Sequence, residues 1–430
     1  MGESTDAPMS GANAAVLIIA GGRGTRFWPE SRINRPKPLF SIDGKTSLLA
    51  ATATRMEPFI ARERIFVLAS ADQAPLFRPV LKKLIPPRNL IVEPEGRGTA
   101  VAITYGMGMI AERLSDETIV AVMPADHYVT PAAAFQRTLR EAVMLAASHA
   151  AIVVIGIKPT RPETGYGYLK IGKPIKVTLT RRSKHLSRSV AGVSHGSTTH
   201  PHRDENPIPP PDQGEVRWGS SESYIFTTED MGEGSDRSGG YDRMTNAAFK
   251  LDRFVEKPPA SAALRMMRSG RYLWNAGMFV MSAAALAAEL AQHAPVLAEA
   301  MHTLPPMKAA QLEHSYRAFE FDSFDRVVAE KSRNVLGVRA RFRWHDVGSW
   351  EGLWEALRDG SRNVLMGNVL EIGADGVLAR TRDHLMVLLG VKDIVAIETA
   401  DVILIANRTQ SQDVRKVIDE LKRRGSERYL

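Results

Sequence analysis

Four basic side chains, Arg23, Arg26, Arg32 and Lys37, crowd into fifteen residues around the turn Gly21-Gly22-Arg23-Gly24-Thr25-Arg26. Glycines let backbone N–H groups close on an anion without interference from Cβ, and the cations add neutralising charge, so the pattern suits a polyphosphate. It is not a dinucleotide fingerprint, because G-x-G-x-x-G would need glycine where Phe27 stands. Nor is it a P-loop: Gly44-Lys45-Thr46 has the right ending, but Leu39 occupies the first glycine position. Two aspartates could complement these cations. Asp126 follows an apolar run and a Pro-Ala step, which puts it at the carboxyl end of a strand, where open α/β sheets bind ligands. Asp126 could instead cap the next helix, but capping does not account for Asp346, which follows the strand-like run 340–344 and precedes a Gly-Ser turn. Two such carboxylates could hold Mg²⁺ together with phosphate oxygens and water.

These groups need a frame. Residues 15–20, 64–69, 118–123 and 151–156 are short and apolar on both faces, as parallel strands covered by helices on either side would be. Helix-like stretches 47–56, 99–113 and 132–147 alternate with them, which predicts an α/β fold with a Rossmann-like doubly wound sheet. Strands at 249–255 and 274–281 and helices at 283–291 and 296–301 continue it. Residues 173–247 have another texture, rich in Ser, Gly, Pro and charge, with Pro207-Ile208-Pro209-Pro210-Pro211 at the centre. They read as a disordered surface insertion whose basic first half can fold back on its acidic second half. After Trp350 come a helix at 352–357, then short strands at 368–372, 385–389, 395–398 and 402–405 between turn residues, and a charged amphipathic helix at 411–423. The expected division is a disordered tail 1–13, a main domain 14–355 carrying the insertion, and a small C-terminal β-rich domain 363–430 built as a few coils of stacked strands.

The chain of 430 residues is 44% hydrophobic and 24% charged, enough apolar material for real cores, so wholesale disorder is excluded. With no cysteine there is no disulfide, thiolate nucleophile or cysteine-held zinc. The polar start carries acidic Glu3 and Asp6, unlike a signal peptide, and no apolar stretch approaches the roughly 20 residues that span a bilayer. A soluble, cytoplasmic protein without membrane partners is expected. The net charge of +8 suits any polyanion; nucleic acid is not expected, because the basic insertion offers no ordered aromatic platform.

Residues 21–37 resemble the signature of the sugar nucleotidyltransferases, and Trp28-Pro29 with Ser31-Arg32 and Pro36-Lys37 resembles the mannose-1-phosphate guanylyltransferase branch. The likeness continues through Glu93-Pro94-Glu95-Gly96-Arg97-Gly98-Thr99, Pro124-Ala125-Asp126-His127, Glu163-Thr164-Gly165-Tyr166, Phe254-Val255-Glu256-Lys257-Pro258, Trp274-Asn275-Ala276-Gly277 and His345-Asp346-Val347-Gly348-Ser349-Trp350. Pro38, Gly98 and Arg326 depart from the residues usual at their places. The resemblance implies a nucleotide-diphospho-sugar transferase type of mixed sheet with a short β-helix-like C-terminal domain. It implies transfer from GTP to mannose 1-phosphate on Mg²⁺, giving GDP-mannose and pyrophosphate. Gly21, Gly22, Gly24, Thr25, Glu93, Gly96 and Thr99 would contact the nucleotide, Gly165, Tyr166, Glu256, Lys257 and Asn275 the sugar phosphate, and Asp126 and Asp346 the metal. A second, isomerase domain is not expected, and a homodimer is admitted but not required.

The attacking phosphate monoester is already largely dianionic at neutral pH, so no general base is needed. His127 is accordingly expected to be structural or substrate-contacting, and Phe27, Trp28 and Trp350 to pack. The difficulty is repulsion between two anions, which Arg23, Arg26, Lys37, Lys257 and the metal must cancel; Arg26 and Lys37 are the leading charge-stabilising candidates. Glu256 beside Lys257 fits a hydroxyl acceptor next to a phosphate cation. Asn275, an amide in an apolar run, must find partners, either a sugar hydroxyl or a core group. Gly165 and Tyr166 either approach a sugar face or form a tight turn. The alternatives left open are another sugar 1-phosphate and nucleoside triphosphate pair, and a catalytically silent relative that binds GDP-mannose.

Overall fold

The first strand, β1 (Ala14–Ile19), shows why the apolar runs are continuous. Val16 and Ile18 face one helical layer, Ala15 and Leu17 the opposite one, and all four are fully buried. The side-chain period of two therefore requires apolar residues at every position. The same double burial holds for β2 (Ile65–Ser70), β4 (Ile119–Pro124) and β6 (Ile152–Ile157). One layer holds α1 (Leu48–Thr54), α2 (Ala74–Leu81) and α4 (Ala132–His149). The other holds α3 (Thr99–Arg113), followed later in the chain by helices Ala283–His293 and Pro295–Thr303.

With β3 (Leu90–Glu93), β5 (Tyr128–Thr130), β7 (Tyr168–Val177), β8 (Thr245–Val255), β9 (Tyr272–Ser282), β10 (Val335–Arg339) and β11 (Arg343–His345), the strands give a nine-stranded sheet in the order β3-β2-β1-β4-β9-β6-β10-β8-β7 and a separate β5–β11 pair. β1 pairs in parallel with both β2 and β4, so the order reverses at β1 and opens a crevice at the carboxyl ends, where such sheets bind ligands. The sheet is mixed because β9 runs antiparallel between β4 and β6. The expected strand at 340–344 is divided: β10 ends at Arg339, Phe342 packs edge-on against Phe135 at 5.3 Å, and β11 begins at Arg343.

The structure is a computed structural model that describes residues 13–22, 24–177, 245–320, 322–358 and 360–430, all within one compact unit. The expected N-terminal tail, Arg23 and most of the expected insertion lie outside these residues. β7 and β8 remain paired out to Val177 and Thr245.

In the C-terminal part, β12 (Val364–Met366), β14 (Leu378–Arg380) and β16 (Ile394–Glu398) stack in parallel, as do β13 (Val369–Ile372) and β15 (Met386–Leu389). β17 (Ile403–Asn407) folds back antiparallel on β16, and the terminal helix Val414–Arg423 follows. This helix and the stacked strands share one core with the signature turn. Phe27, Phe40, Val347 and Trp350 pack with Leu378, Val395, Ile397 and Val414. Trp350 is fully buried, 4.9 Å from the Phe27 ring and 5.9 Å from that of Phe40, and donates its indole N–H to Trp28 O at 3.1 Å. Replacing it leaves a large cavity: Trp350→Ala is expected to lower unfolding free energy by about 3–5 kcal/mol in a denaturant titration, and a loss below about 1 kcal/mol would contradict this packing.

Candidate active site

The glycine turn follows β1. Gly24 sits at φ 60°, and a Cβ there would lie 2.2 Å from Lys37 Cβ, so only glycine lets the turn close on the next one. Lys37 opens a short 3₁₀ turn, Lys37–Leu39, in which Pro38 occupies a first-turn position where its missing N–H costs no hydrogen bond. Its ammonium donates to Asp126 Oδ2 at 2.7 Å and to the backbone carbonyl of Asp346 at 2.8 Å. The β5–β11 ladder explains why the two aspartates meet: Tyr128 pairs with His345, which sets the residues just before β5 opposite those just after β11.

Both carboxylates are held ionised. Burial works against the charge of Asp126, but the ammonium of Lys37 overcomes it and keeps its pKa below the ordinary value. Burial likewise opposes Asp346, and the adjacent His345, the Tyr166 hydroxyl donating at 2.7 Å and the charge of Lys37 drive its pKa far down. Tyr166 is fixed for this by edge contacts at 5.2 Å with both Trp274 and Trp344. His127 Nδ1 accepts the indole N–H of Trp344 at 3.1 Å, and burial lowers its pKa to about 4, so the ring is neutral.

Two neighbouring cavities flank this centre and share Arg26 and Gly348. A cavity of about 300 Å³ is lined by Gly21, Gly22, Gly24, Thr25, Lys37 and Asp126, with Arg415 from the terminal helix. The other, about 420 Å³, is lined by Gly165, Tyr166, Lys257, Asp346 and a charged wall of Arg161, Glu163 and Glu355. Arg161 binds Glu355 at 2.7 Å, and His345 Nε2 lies 3.3 Å from the same carboxylate.

The structure thus brings Arg26, Lys37, the four residues Gly21, Gly22, Gly24 and Thr25, Gly165, Tyr166, Lys257, Asp126 and Asp346 together. Others stand apart from both cavities. Glu256 pairs with Lys257 at 2.9 Å. Asn275 donates to Asp325 at 2.7 Å and accepts from Gly277 N–H at 3.1 Å, the satisfied-amide alternative. Asp325 itself is pushed up to about 6 by burial and by Glu256. Thr99 Oγ accepts from Phe324 N–H at 2.9 Å, Gly98 takes φ 91° before α3, and Gly96 lies on the approach to it. Arg32 is not part of the cationic cluster: it forms a bidentate pair with Asp401 at 2.7 and 2.6 Å. Arg326 pairs with Asp322 at 2.8 Å. Arg161, Glu355, Gln412 and Arg415 were not singled out from the sequence, since Glu355 and Arg415 read there as ordinary charges on helices, and His345 entered only as the neighbour of Asp346.

The chain belongs to the nucleotidyl transferase family, whose model matches residues 15–180 and 235–362. Residues 367–421 match the MannoseP isomerase/GMP-like beta-helix domain. A mannose-1-phosphate guanylyltransferase of Escherichia coli is 30% identical over 423 residues, 96% of this chain and 75% of the relative. The xanthan biosynthesis protein XanB of Xanthomonas campestris pv. campestris is 29% identical over 419 residues, 95% of this chain and 73% of that protein. A solved structure from Thermus thermophilus, titled a mannose-1-phosphate geranyltransferase, superposes with a TM-score of 0.72 at 28% identity, covering 95% of this chain and 99% of its own.

Glu93, expected at the nucleotide, is 4% exposed and takes the Tyr316 hydroxyl at 2.5 Å. Burial raises its pKa from 4.5 to about 7. A raised folded pKa means the folded state holds the proton more tightly, so this contribution is full below pH 4.5 and is lost as pH rises through about 7. Glu93→Gln removes the titration. Its stability relative to the native protein should therefore rise by on the order of 3 kcal/mol across that window in urea titrations. Parallel profiles would contradict the assignment.

Proposed function

We propose that this enzyme is a mannose-1-phosphate guanylyltransferase, converting GTP and α-D-mannose 1-phosphate into GDP-mannose and diphosphate. The observation that carries the proposal is Lys37 joining the glycine turn to both aspartates, with cation-lined cavities on either side. The smaller cavity suits the triphosphate, cradled by the glycine turn and Arg26. The larger one suits the sugar phosphate beside Lys257.

An oxygen of the sugar phosphate attacks the α-phosphorus, the new P–O bond forms in line with the bond to the β-phosphate, and that bond breaks to release diphosphate. The nucleophile is already a dianion, so no residue needs to remove a proton. His127 is neutral with Nδ1 already bonded to Trp344, consistent with a structural role. Arg26 and Lys37 stabilise the charge gathering on the leaving diphosphate, and Arg23, whose position lies outside the described residues, belongs to the same turn by sequence. Lys257 screens the sugar phosphate as it approaches.

Asp126 and Asp346 fit a Mg²⁺ ion. Both are ionised, and among the described residues Asp126 Oδ1 and Asp346 Oδ2 take no hydrogen bond. No group of three or more His, Asp or Glu forms a cage among the described residues, and Mg²⁺ needs none, since one or two carboxylates plus phosphate oxygens and water suffice. Bound there, the ion would neutralise phosphate charge. No helix among the described residues is long and apolar enough to cross a membrane.

Diphosphate release with mannose 1-phosphate, Mg²⁺ and each nucleoside triphosphate tests the proposal. Release is expected with GTP, and EDTA should stop it until Mg²⁺ is restored in excess. Release only with another base would overturn the guanylyl assignment, and none with any would overturn the catalytic one.

A further inference from the structure

The terminal helix (Val414–Arg423) begins with Arg415 and Lys416 and has no acidic residue in its first turn. Cations at a helix N-terminus oppose the helix dipole, so this arrangement is locally unfavourable. Lys416 is compensated by Asp413 at 2.8 Å. Arg415 has no hydrogen bond or ion pair among the described residues, and it lines the same cavity as Gly21, Gly22, Arg26 and Lys37. Lys37 is already paired with Asp126, so Arg26 and Arg415 leave the cavity with unbalanced positive charge.

The approach of Arg415 to the glycine turn is built into the fold. Ser411 is fully buried and its hydroxyl accepts from Glu351 N–H at 3.2 Å; Val414 is 3% exposed in the core shared with Phe27. These two residues anchor the segment inward, while Gln412 and Arg415 face the larger and the smaller cavity. Beyond the helix, Tyr429 O accepts the Trp28 indole N–H at 2.7 Å, which fastens the chain terminus to the signature turn itself.

We infer that the C-terminal domain completes the active site, with Arg415 binding the β and γ phosphates of the nucleoside triphosphate, and the diphosphate product, opposite Arg26. This rests on the assignment of the smaller cavity to the triphosphate. A guanidinium matches phosphate in a forked geometry and stays charged at every working pH, so it suits a leaving group that gains charge.

The test compares the full-length native protein with Arg415→Ala, Arg415→Lys and Lys416→Ala. Calorimetric titration with diphosphate and with GTP gives affinity, and initial rates give KM for each substrate. A charge-assisted contact predicts affinity for diphosphate and GTP weakened about 10-fold to 100-fold in Arg415→Ala, with the KM for mannose 1-phosphate unchanged. Arg415→Lys should recover part of the loss, and Lys416→Ala should match the native protein. Affinities within twofold of native in Arg415→Ala, or an equal loss in Lys416→Ala, would overturn the inference. So would a fall in kcat with both affinities intact, which would mean that Arg415 does not hold the phosphates of either bound ligand. Failure of the native protein to turn over any triphosphate would instead sink the catalytic assignment, and the direct diphosphate titration would still decide the role of Arg415.

Discussion

The ammonium of Lys37, held between a carboxylate oxygen of Asp126 and the backbone carbonyl of Asp346, is the contact on which the rest depends. It ties three distant pieces of chain to one point: the turn after β1, the end of β4 and the end of β11. It also sets the electrostatics, because a buried carboxylate stays charged only beside a cation or a strong donor. With Lys37 beside Asp126, and His345 and the Tyr166 hydroxyl beside Asp346, both aspartates are anions able to face a metal, and the turn carries Arg26 toward the anions that must meet. The sheet supplies the geometry through its reversal at β1, and the β5–β11 pair supplies the register.

The C-terminal domain takes part in that arrangement. Its strands and helix share a core with the residues beneath the signature turn, and three polar ties fasten the two: Arg32 with Asp401, Arg380 donating to Ser41 O at 2.7 Å, and Arg408 with Glu351. A loop that must neutralise a leaving diphosphate works best when it does not reorganise during the reaction. Packing its underside against a second domain is a physical means to that end, and the same packing carries Arg415 to the phosphate side.

Much of this was legible in the sequence where one local rule governed the residues. Doubly buried strands must be apolar throughout, so β1, β2, β4 and β6 stood out, and α3 matched residue for residue. Lys37, Asp126 and Asp346 were legible as charged groups next to strand ends and turns. What stayed hidden depends on partners remote in the chain. Arg32 looked like a phosphate ligand because Asp401 gives no local sign of its presence, and Glu93 at the end of β3 looked like a nucleotide contact because its partner Tyr316 lies 223 residues further along the chain. Asn275 offered two readings, and its bond to Asp325 matches the core one. The antiparallel insertion of β9 obeys no spacing rule, and Arg415 sat inside what reads as an ordinary charged amphipathic helix.

The rate of diphosphate release by Lys37→Gln at saturating GTP, mannose 1-phosphate and Mg²⁺ tests the central claim most directly. Loss of a charge that both organises the aspartates and stabilises the leaving group predicts a fall of at least about 100-fold, with the native secondary structure retained. A rate within about threefold of the native enzyme would contradict the account.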